Sequence, residues 1–238
     1  LGVFGYSAYN LWDIYSQKQQ VETETKQLEE KVVKTKKEDK EIKNVLQPDW
    51  TTLKEQNANI IGWLYVPDCE ISFPVLQAKD NQYYLNHTVN GEYNPRGSIF
   101  LDANADAQFK NDNSIVYGHS VEGGGMFTLL KNYCDEQFFK EHSVFYLLTP
   151  EANYKCNVFT FAKTIEDSVF YTTSFGGSRQ ETIESMKESA TYLNGLVSTE
   201  GNFISLSTCD LDYGFDSNHR FVLTGHLEKT SDDIVLKD

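Results

Sequence analysis

The 238-residue sequence has few basic residues and no closely spaced cysteine pair. Lys and Arg number 21 against 35 Asp and Glu, so the net charge is −14. This balance argues against a protein that binds nucleic-acid phosphates through a basic face. The four cysteines stand far apart in sequence and do not cluster with histidines as zinc ligands do. We therefore predict no metal site and no cofactor.

The N-terminus lacks an apolar run of full membrane-spanning length. Its first fifteen residues, LGVFGYSAYNLWDIY, are apolar and aromatic but fall short of the roughly 20 residues that span a bilayer. Tyr and Trp favour the headgroup region, so the stretch is typical of the outer end of a membrane-spanning helix. We predict that residues 1–17 are the juxtamembrane end of a single-pass N-terminal anchor. The alternative is an amphipathic helix that packs on the domain.

Glycine and proline are absent from residues 18–46, which are highly charged. This composition predicts one long helix, and Pro48 then predicts a second, short one at its first turn. No internal repeat or low-complexity tract follows. We therefore expect an N-terminal helical region over residues 18–57 and a separate domain over residues 58–238.

The sequence after residue 58 has the pattern of β-strands. Eight short segments rich in β-branched and aromatic residues are bounded by Gly, Pro, Asn and Asp. Their number predicts a closed or nearly closed antiparallel barrel. Helices are predicted at residues 126–133, 135–142 and 178–193, the last of them just before a strand that ends at Cys209. The fold class is mainly β with added helices.

Cys209 could be a nucleophile or a small core residue, since a buried free cysteine is a common core filler. A nucleophilic cysteine needs a nearby base or cation and a donor for the oxyanion. His119 ends the strand segment NSIVYGHS, and Arg220 opens the last strand segment eleven positions after Cys209. Each is ordinary alone, but together they match these requirements.

The motifs SLSTC and IVYGHS, with Arg220 after them, resemble the sortases, and within them class B. The blocks NANIIGWLYVPDCEISFPVLQ, DNQYYLNH and GSIFLDA also occur in the class B order. Ser205 stands where the family prefers Thr. The resemblance implies an eight-stranded sortase β-barrel with N-terminal helices and a helical insertion before the cysteine strand.

The resemblance also implies a cysteine transpeptidase on the outer face of a Gram-positive cell. Such an enzyme cleaves a C-terminal sorting signal of secreted proteins through a thioacyl intermediate. It then joins them to an amine of the cell-wall peptidoglycan. Cys209 would be the nucleophile, His119 the acid and base, and Arg220 the oxyanion donor together with the backbone N–H after Cys209. The sorting motif, NPxTN-like or PxTG-like, and the acceptor, wall peptide or pilin lysine, stay open.

The same resemblance implies substrate contacts at Asn81, Leu85, Tyr117 and Ser207. Core packing is the alternative for Leu85 and Tyr117. We expect Asp210 to shape its loop and not to transfer protons. The pocket residues of the helical insertion are not assigned.

Two other functions compete with this interpretation. A papain-like cysteine hydrolase also pairs Cys with His, but it places the cysteine early in the chain, at a helix N-terminus. Here His119 precedes Cys209, and the cysteine ends a strand. A non-catalytic surface-binding domain would have no need of His119, Cys209 and Arg220 together.

Overall fold

The N-terminal part of the chain is a helix followed by a hairpin. The computed structural model describes residues 2–38, 41–214 and 217–237. Helix α1 (Gly2–Glu29) precedes strands β1 (Val33–Glu38) and β2 (Glu41–Leu46), which pair antiparallel. The prediction of one helix over residues 18–46 is therefore wrong beyond residue 29. The division of the chain at residues 17 and 57 stays a prediction.

Tertiary contacts explain why the hairpin replaces the predicted helix. Val32, Val45 and Leu46 are buried in the protein. The backbone N–H of Leu46 donates to the carbonyl of Ile234, 2.9 Å away. Because this contact is distant in sequence and buries β-branched residues, it overrides a weak local preference for helix.

The predicted membrane anchor is wrong. Helix α1 is rich in polar and charged side chains from Asp13 onward, and Gln17 donates a hydrogen bond of 2.8 Å to the Asp13 carboxylate. Across the described ranges 2–38, 41–214 and 217–237, no helix has both the length and the apolar character that crossing a membrane requires. This finding overturns the single-pass anchor and the membrane localisation that rested on it.

From Ile60 onward the chain forms a closed β-barrel, as predicted. The short helix α2 (Trp50–Gln56) leads into it, and the Asp49 carboxylate caps the start of α2. The strands are β3 (Ile60–Val66), β4 (Ile71–Leu76), β5 (Phe100–Leu101), β6 (Asn113–Tyr117), β7 (Val144–Leu148), β8 (Asn153–Ile165), β9 (Tyr192–Leu193), β10 (Phe203–Cys209) and β11 (His219–Thr230).

Eight of these strands close on themselves. Their order is β11-β10-β6-β5-β4-β3-β7-β8, and β8 pairs back to β11. The two-residue strand β9 adds to β8 outside this ring. Most pairs are antiparallel, but β10 pairs with β6 and β4 with β5 in parallel. The prediction of an antiparallel barrel is therefore wrong at these two pairs of strands. Long connections between the paired strands let the chain return in the same direction.

Between the strands of the barrel, the described residues form two α-helices and several 3₁₀ turns. The segment predicted as a helix at 126–133 is a 3₁₀ stretch over Thr128–Cys134. Helix α3 (Glu136–Glu141) follows, with the Asp135 carboxylate accepting from the N–H of Phe138 at its start. Helix α4 (Arg179–Ser189) is the expected helical insertion before β10. Its side chains Ile183 and Met186 are buried against the barrel. The predicted extension of this helix to residue 193 is wrong, because Tyr192–Leu193 form strand β9.

The barrel topology fixes where the site lies. Strands β6 and β10 run parallel, with Ser207 beside Tyr117, so both strands end at the same edge. Strand β11 begins at that edge, where Arg220 lies directly opposite Cys209. The chain segments that follow β6 and β10 therefore emerge together.

Candidate active site

A cleft opens at the edge where β6 and β10 end. Its volume is about 410 Å³. The lining includes every site residue that the sequence predicts, namely Asn81, Leu85, Tyr117, His119, Ser207, Cys209 and Arg220. The fold thus brings together residues up to 139 positions apart in the chain, the separation between Asn81 and Arg220.

Cys209 occupies the last position of β10 and is half-buried, whereas Ser207 and Thr208 before it are buried. The strand pairing sets its backbone, because Cys209 faces Arg220 across the antiparallel ladder. A thiol at this position can be reached from the cleft while its strand stays fixed. This placement suits a nucleophile better than a core filler.

His119 leaves the barrel two residues after β6 ends. Its Nε2 lies 2.7 Å from the carbonyl oxygen of Leu85. A carbonyl oxygen only accepts, so this hydrogen bond requires the proton on Nε2. Gly118 is needed before it, since a Cβ there would lie 2.5 Å from Ile99 and 2.7 Å from Phe127. A glycine is therefore required before His119 by the packing around it, as well as by the turn.

Ser120 connects the histidine segment to the cysteine strand, and sequence reasoning missed it. Its hydroxyl donates to the carbonyl of Cys209 and lies 2.9 Å from Oγ1 of Thr208. Because the Ser120 proton goes to Cys209, Thr208 is the donor in the second bond. These buried bonds fix the segment after His119 against the end of β10. Its place directly after His119 was the feature of the sequence that could have indicated Ser120 as a site residue.

The guanidinium of Arg220 is held by three acceptors. One terminal nitrogen donates to the carbonyls of Ser217 and His219, each 2.8 Å away, and the other donates to the carboxylate of Glu166. The Arg220 side chain is 16% exposed and that of Glu166 is 51% exposed. Sequence reasoning missed Glu166, which lies just beyond β8 and lines the cleft. The ion pair fixes the direction of the guanidinium.

Tyr171 is a further cleft residue that the sequence did not indicate. It ends a 3₁₀ turn in the connection between β8 and α4, and its hydroxyl lies 2.7 Å from Oγ of Ser207. Burial raises the pKa of Tyr171 to about 12. The phenol therefore stays protonated near neutral pH and keeps Ser207 in place.

Two predicted substrate contacts use their polar atoms within the protein. Asn81 donates to the Asp102 carboxylate at 2.8 Å and accepts from the N–H of Ala103 at 2.7 Å. The Tyr117 hydroxyl donates to the same carboxylate at 3.2 Å, and burial raises the pKa of Tyr117. Asp102 thus orients both side chains at the wall of the cleft.

The other three cysteines have surroundings unlike that of Cys209. Cys69 and Cys156 are fully buried, and burial raises the pKa of Cys69 to about 12 and that of Cys156 well above its ordinary value. Cys134 is half-buried, and burial also raises its pKa. All four are free thiols. In the described part of the chain, no group of three or more His, Cys, Asp or Glu side chains could hold a metal ion.

Asp210, which follows Cys209, is 4% exposed. Its Oδ1 accepts from the N–H of Asp212 at 3.1 Å and so caps the 3₁₀ turn Leu211–Tyr213. Its own N–H donates to the carbonyl of His219 at 3.0 Å. These contacts shape the start of the loop that leads to β11.

Comparisons with known proteins point in the same direction as this geometry. A family model described as the sortase domain matches residues 64–228. Sortase B of Listeria monocytogenes is 31% identical over 95% of this chain and 93% of its own. Sortase B of Bacillus anthracis in complex with AAEK1 has a TM-score of 0.77 and 28% identity, over 91% of this chain and 100% of its own. A Staphylococcus aureus sortase B–substrate complex has a TM-score of 0.70 and 28% identity, over 76% and 85%.

Proposed function

Because the chain belongs to the sortase family, in class B, we propose that this cysteine transpeptidase joins secreted proteins to the cell wall. It cleaves their C-terminal sorting signal and transfers the new carboxyl end to an amine of the peptidoglycan. Family membership removes the papain-like and non-catalytic alternatives. The observation that carries the proposal is the convergence of Cys209, His119 and Arg220 on one cleft.

The first half of the reaction forms the thioacyl enzyme. The Cys209 sulfur attacks the scissile carbonyl carbon, so a C–S bond forms and the carbonyl oxygen gains negative charge. His119 gives a proton to the leaving nitrogen as the C–N bond breaks. The C-terminal fragment leaves as an amine, and the rest of the substrate stays on Cys209 as a thioester.

The second half transfers the acyl group to the acceptor. The neutral acceptor amine attacks the thioester carbonyl, and His119 takes the proton that the nitrogen loses. A new C–N bond forms as the C–S bond breaks. Cys209 is released, and the substrate is joined to the acceptor by an amide.

Arg220 is proposed to stabilise the oxyanion in both halves. Arg220 lies opposite Cys209 in the strand ladder and lines the same cleft, which supports a planar, permanently charged donor acting at the carbonyl that Cys209 attacks. The bonds to Ser217, His219 and Glu166 fix that donor before substrate arrives. Preorganised donors of this kind lower the cost of charge that develops in the transition state.

The sorting signal is proposed to bind along the cleft wall formed by Asn81, Leu85, Tyr117 and Ser207. All four line the same cleft as the thiol, and Tyr171 holds Ser207. The Staphylococcus aureus relative was solved as a sortase B–substrate complex, which supports substrate binding by this fold. The motif itself, NPxTN-like or PxTG-like, is for experiment to decide.

A cleavage screen tests the proposal. Short peptides of both signal types are incubated with the protein and an amine acceptor, and the products are separated and identified by mass. We expect a ligated product with one signal type, and its loss in His119→Asn. The matched control is His226→Asn, a strand β11 histidine outside the cleft, which should keep the activity. No cleavage of either signal type by the folded protein would refute the proposed function.

A further inference from the structure

The chain that follows His119 forms a loop whose tip lacks side chains. Residues 121–126, with the sequence VEGGGM, form this glycine loop. The φ angles of Gly123, Gly124 and Gly125 are 80°, 79° and 88°, in the region that favours glycine. Because these three residues have no side chains to pack, the shape of the loop depends on the contacts of its main chain.

Two cations hold the tip of the glycine loop. The three consecutive carbonyls of Glu122, Gly123 and Gly124 each accept a hydrogen bond from a charged side chain. Arg96 donates to Glu122 at 2.6 Å and to Gly124 at 2.9 Å. Lys18 donates to Gly123, between them, at 2.7 Å. Hydrogen bonds from charged donors are stronger than those between neutral groups, so they fix a loop that has no packing of its own.

Arg96 is a buried residue whose charge is directed at this loop. It is 5% exposed, and burial lowers the pKa of its guanidinium while the Glu22 carboxylate raises it. In the ranges that the structure describes, Arg96 forms no ion pair, and its guanidinium donates to the two loop carbonyls. A buried charge is costly without hydrogen-bond partners. The guanidinium and the loop therefore stabilise each other.

Helix α1 supports both cations. Lys18 belongs to α1 itself. Asn94, which is 1% exposed, donates from its side-chain nitrogen to the carbonyl of Gln17 and to Oε1 of Gln20, each 3.0 Å away. Its Oδ1 accepts from the backbone N–H of Arg96 at 3.0 Å. The helix thus supports Arg96 through Asn94 and contacts the loop directly through Lys18.

His119 stands at the base of the glycine loop. Its carbonyl accepts from the N–H of Phe127 at 3.0 Å, which closes the loop. Its ring bonds the carbonyl of Leu85, and a Cβ on Gly97 would lie 2.6 Å from that same oxygen. Because Gly97 directly follows Arg96, the segment that carries the guanidinium also packs against the acceptor of the His119 hydrogen bond.

We propose that Arg96 is a positioning residue for His119 that acts through the glycine loop, with Lys18 of α1 as a second support. This inference rests on the proposed function, in which His119 moves the proton in both halves of the reaction. Without these donors the loop is held less firmly, and the imidazole departs from the orientation that its bond to Leu85 defines. A misplaced acid–base group lowers the rate without changing the binding of substrate.

Substitutions at the two cations test this assignment by steady-state kinetics with the signal peptide. Lys18→Met should lower kcat about threefold with KM unchanged, since it removes one of the three bonds at the tip. Arg96→Met should lower kcat about 30-fold. Arg96→Lys should recover part of that loss, because an ammonium can still bond one of the two carbonyls. Lys26→Met, at an exposed lysine of the same helix, is the matched control and should keep the wild-type kcat.

The NMR signals of the His119 ring give a readout that needs no substrate. With isotope-labelled histidine at alkaline pH, the wild type should show the proton on Nε2 that the bond to Leu85 requires. Arg96→Met should show a mixture of the two neutral tautomers. Arg179→Lys is the control, because Arg179 also donates to a main-chain carbonyl, that of Thr199, but lies outside the cleft. It should keep the wild-type tautomer.

These measurements separate the positioning role from the proposed function. Wild-type kcat and tautomer in both Lys18→Met and Arg96→Met would overturn the inference, as would an equal change in either control. If Arg96→Met does not fold, Lys18→Met decides through its kcat, because its side chain is 33% exposed and its loss does not open the core. Absence of cleavage by the folded wild type would instead refute the proposed function, while the tautomer of His119 would still report on the loop.

Discussion

Arg220 donates a hydrogen bond to Glu166, and both residues line the cleft that holds Cys209. The two residues lie 54 positions apart, and Glu166 is the more exposed partner. The guanidinium that we assign to the oxyanion is therefore held on one side by backbone carbonyls and on the other by a carboxylate. Glu166 acts through Arg220 and is a positioning residue.

Replacing Glu166 by alanine should lower kcat about fivefold and leave KM nearly unchanged. An ion pair with one exposed partner contributes about 1 kcal/mol at most, which sets this size. Glu166→Gln should recover most of the activity, because an amide oxygen still accepts from the guanidinium. Steady-state kinetics with the cleaved signal peptide gives both values.

The control for Glu166 is its neighbour in the chain. Asp167→Asn removes the same charge from the same cleft, and within the described residues no hydrogen bond or ion pair joins Asp167 to Arg220. The positive φ of 65° at this position is one that asparagine tolerates. We expect near-normal kinetics from this variant. A loss of kcat in Asp167→Asn equal to that in Glu166→Ala would show that the negative charge at the cleft, and not the contact of Glu166 with Arg220, determines the rate.

Replacing Arg220 by lysine should remove most of the activity, with kcat falling about 100-fold. An ammonium keeps the positive charge but lacks the planar fork that bonds Ser217, His219 and Glu166 at once. Turnover is measured on protein whose thermal unfolding matches the wild type. Near-normal turnover by this variant would take Arg220 out of the oxyanion role.

Replacing Ser120 by alanine should reduce both stability and kcat. The change leaves the partly buried carbonyl of Cys209 without its donor, at a cost of about 1 kcal/mol in the free energy of unfolding. Ser98 offers a matched control, because it is also buried and its hydroxyl donates to the carbonyl of His87. Ser98→Ala should lose similar stability with unchanged kcat. Equal kcat in the two variants would assign Ser120 a purely structural role.

Alkylation should distinguish Cys209 from the other cysteines. At neutral pH, iodoacetamide should modify Cys209 first and Cys134 more slowly, because burial raises the pKa of Cys134 and leaves little thiolate. Cys69 and Cys156 should react only after denaturation, since both are buried and their pKa values are raised. Peptide mapping by mass spectrometry reads the order. Modification of Cys134 as fast as Cys209 would contradict the nucleophile assignment.

The barrel and the positions of its chemistry could be read from the sequence because both follow strand boundaries. Segments rich in β-branched residues predict the strands, and Cys209, His119 and Arg220 stand where these segments begin or end. The parallel pairing of β6 and β10 then brings those ends together. A strand end is a local feature, so a single sequence is enough to find it.

The residues that the sequence missed depend on contacts between distant segments. Glu166 and Tyr171 lie in a connection without regular periodicity, and their partners Arg220 and Ser207 are 54 and 36 positions away. The β1–β2 hairpin was also missed, because its buried side chains pack against the C-terminal segment and its charged residues favour a helix locally. Nothing in the local composition marks such contacts.

The most direct test of the central claim is the intact mass of the protein after incubation with its signal peptide and no acceptor. The account predicts a mass increase equal to the N-terminal peptide fragment, taken as a free acid, less one water. This increase maps to Cys209, is lost on addition of an amine and is absent in Cys209→Ala. A cleaved peptide with no adduct on Cys209, or the same adduct in Cys209→Ala, would contradict it.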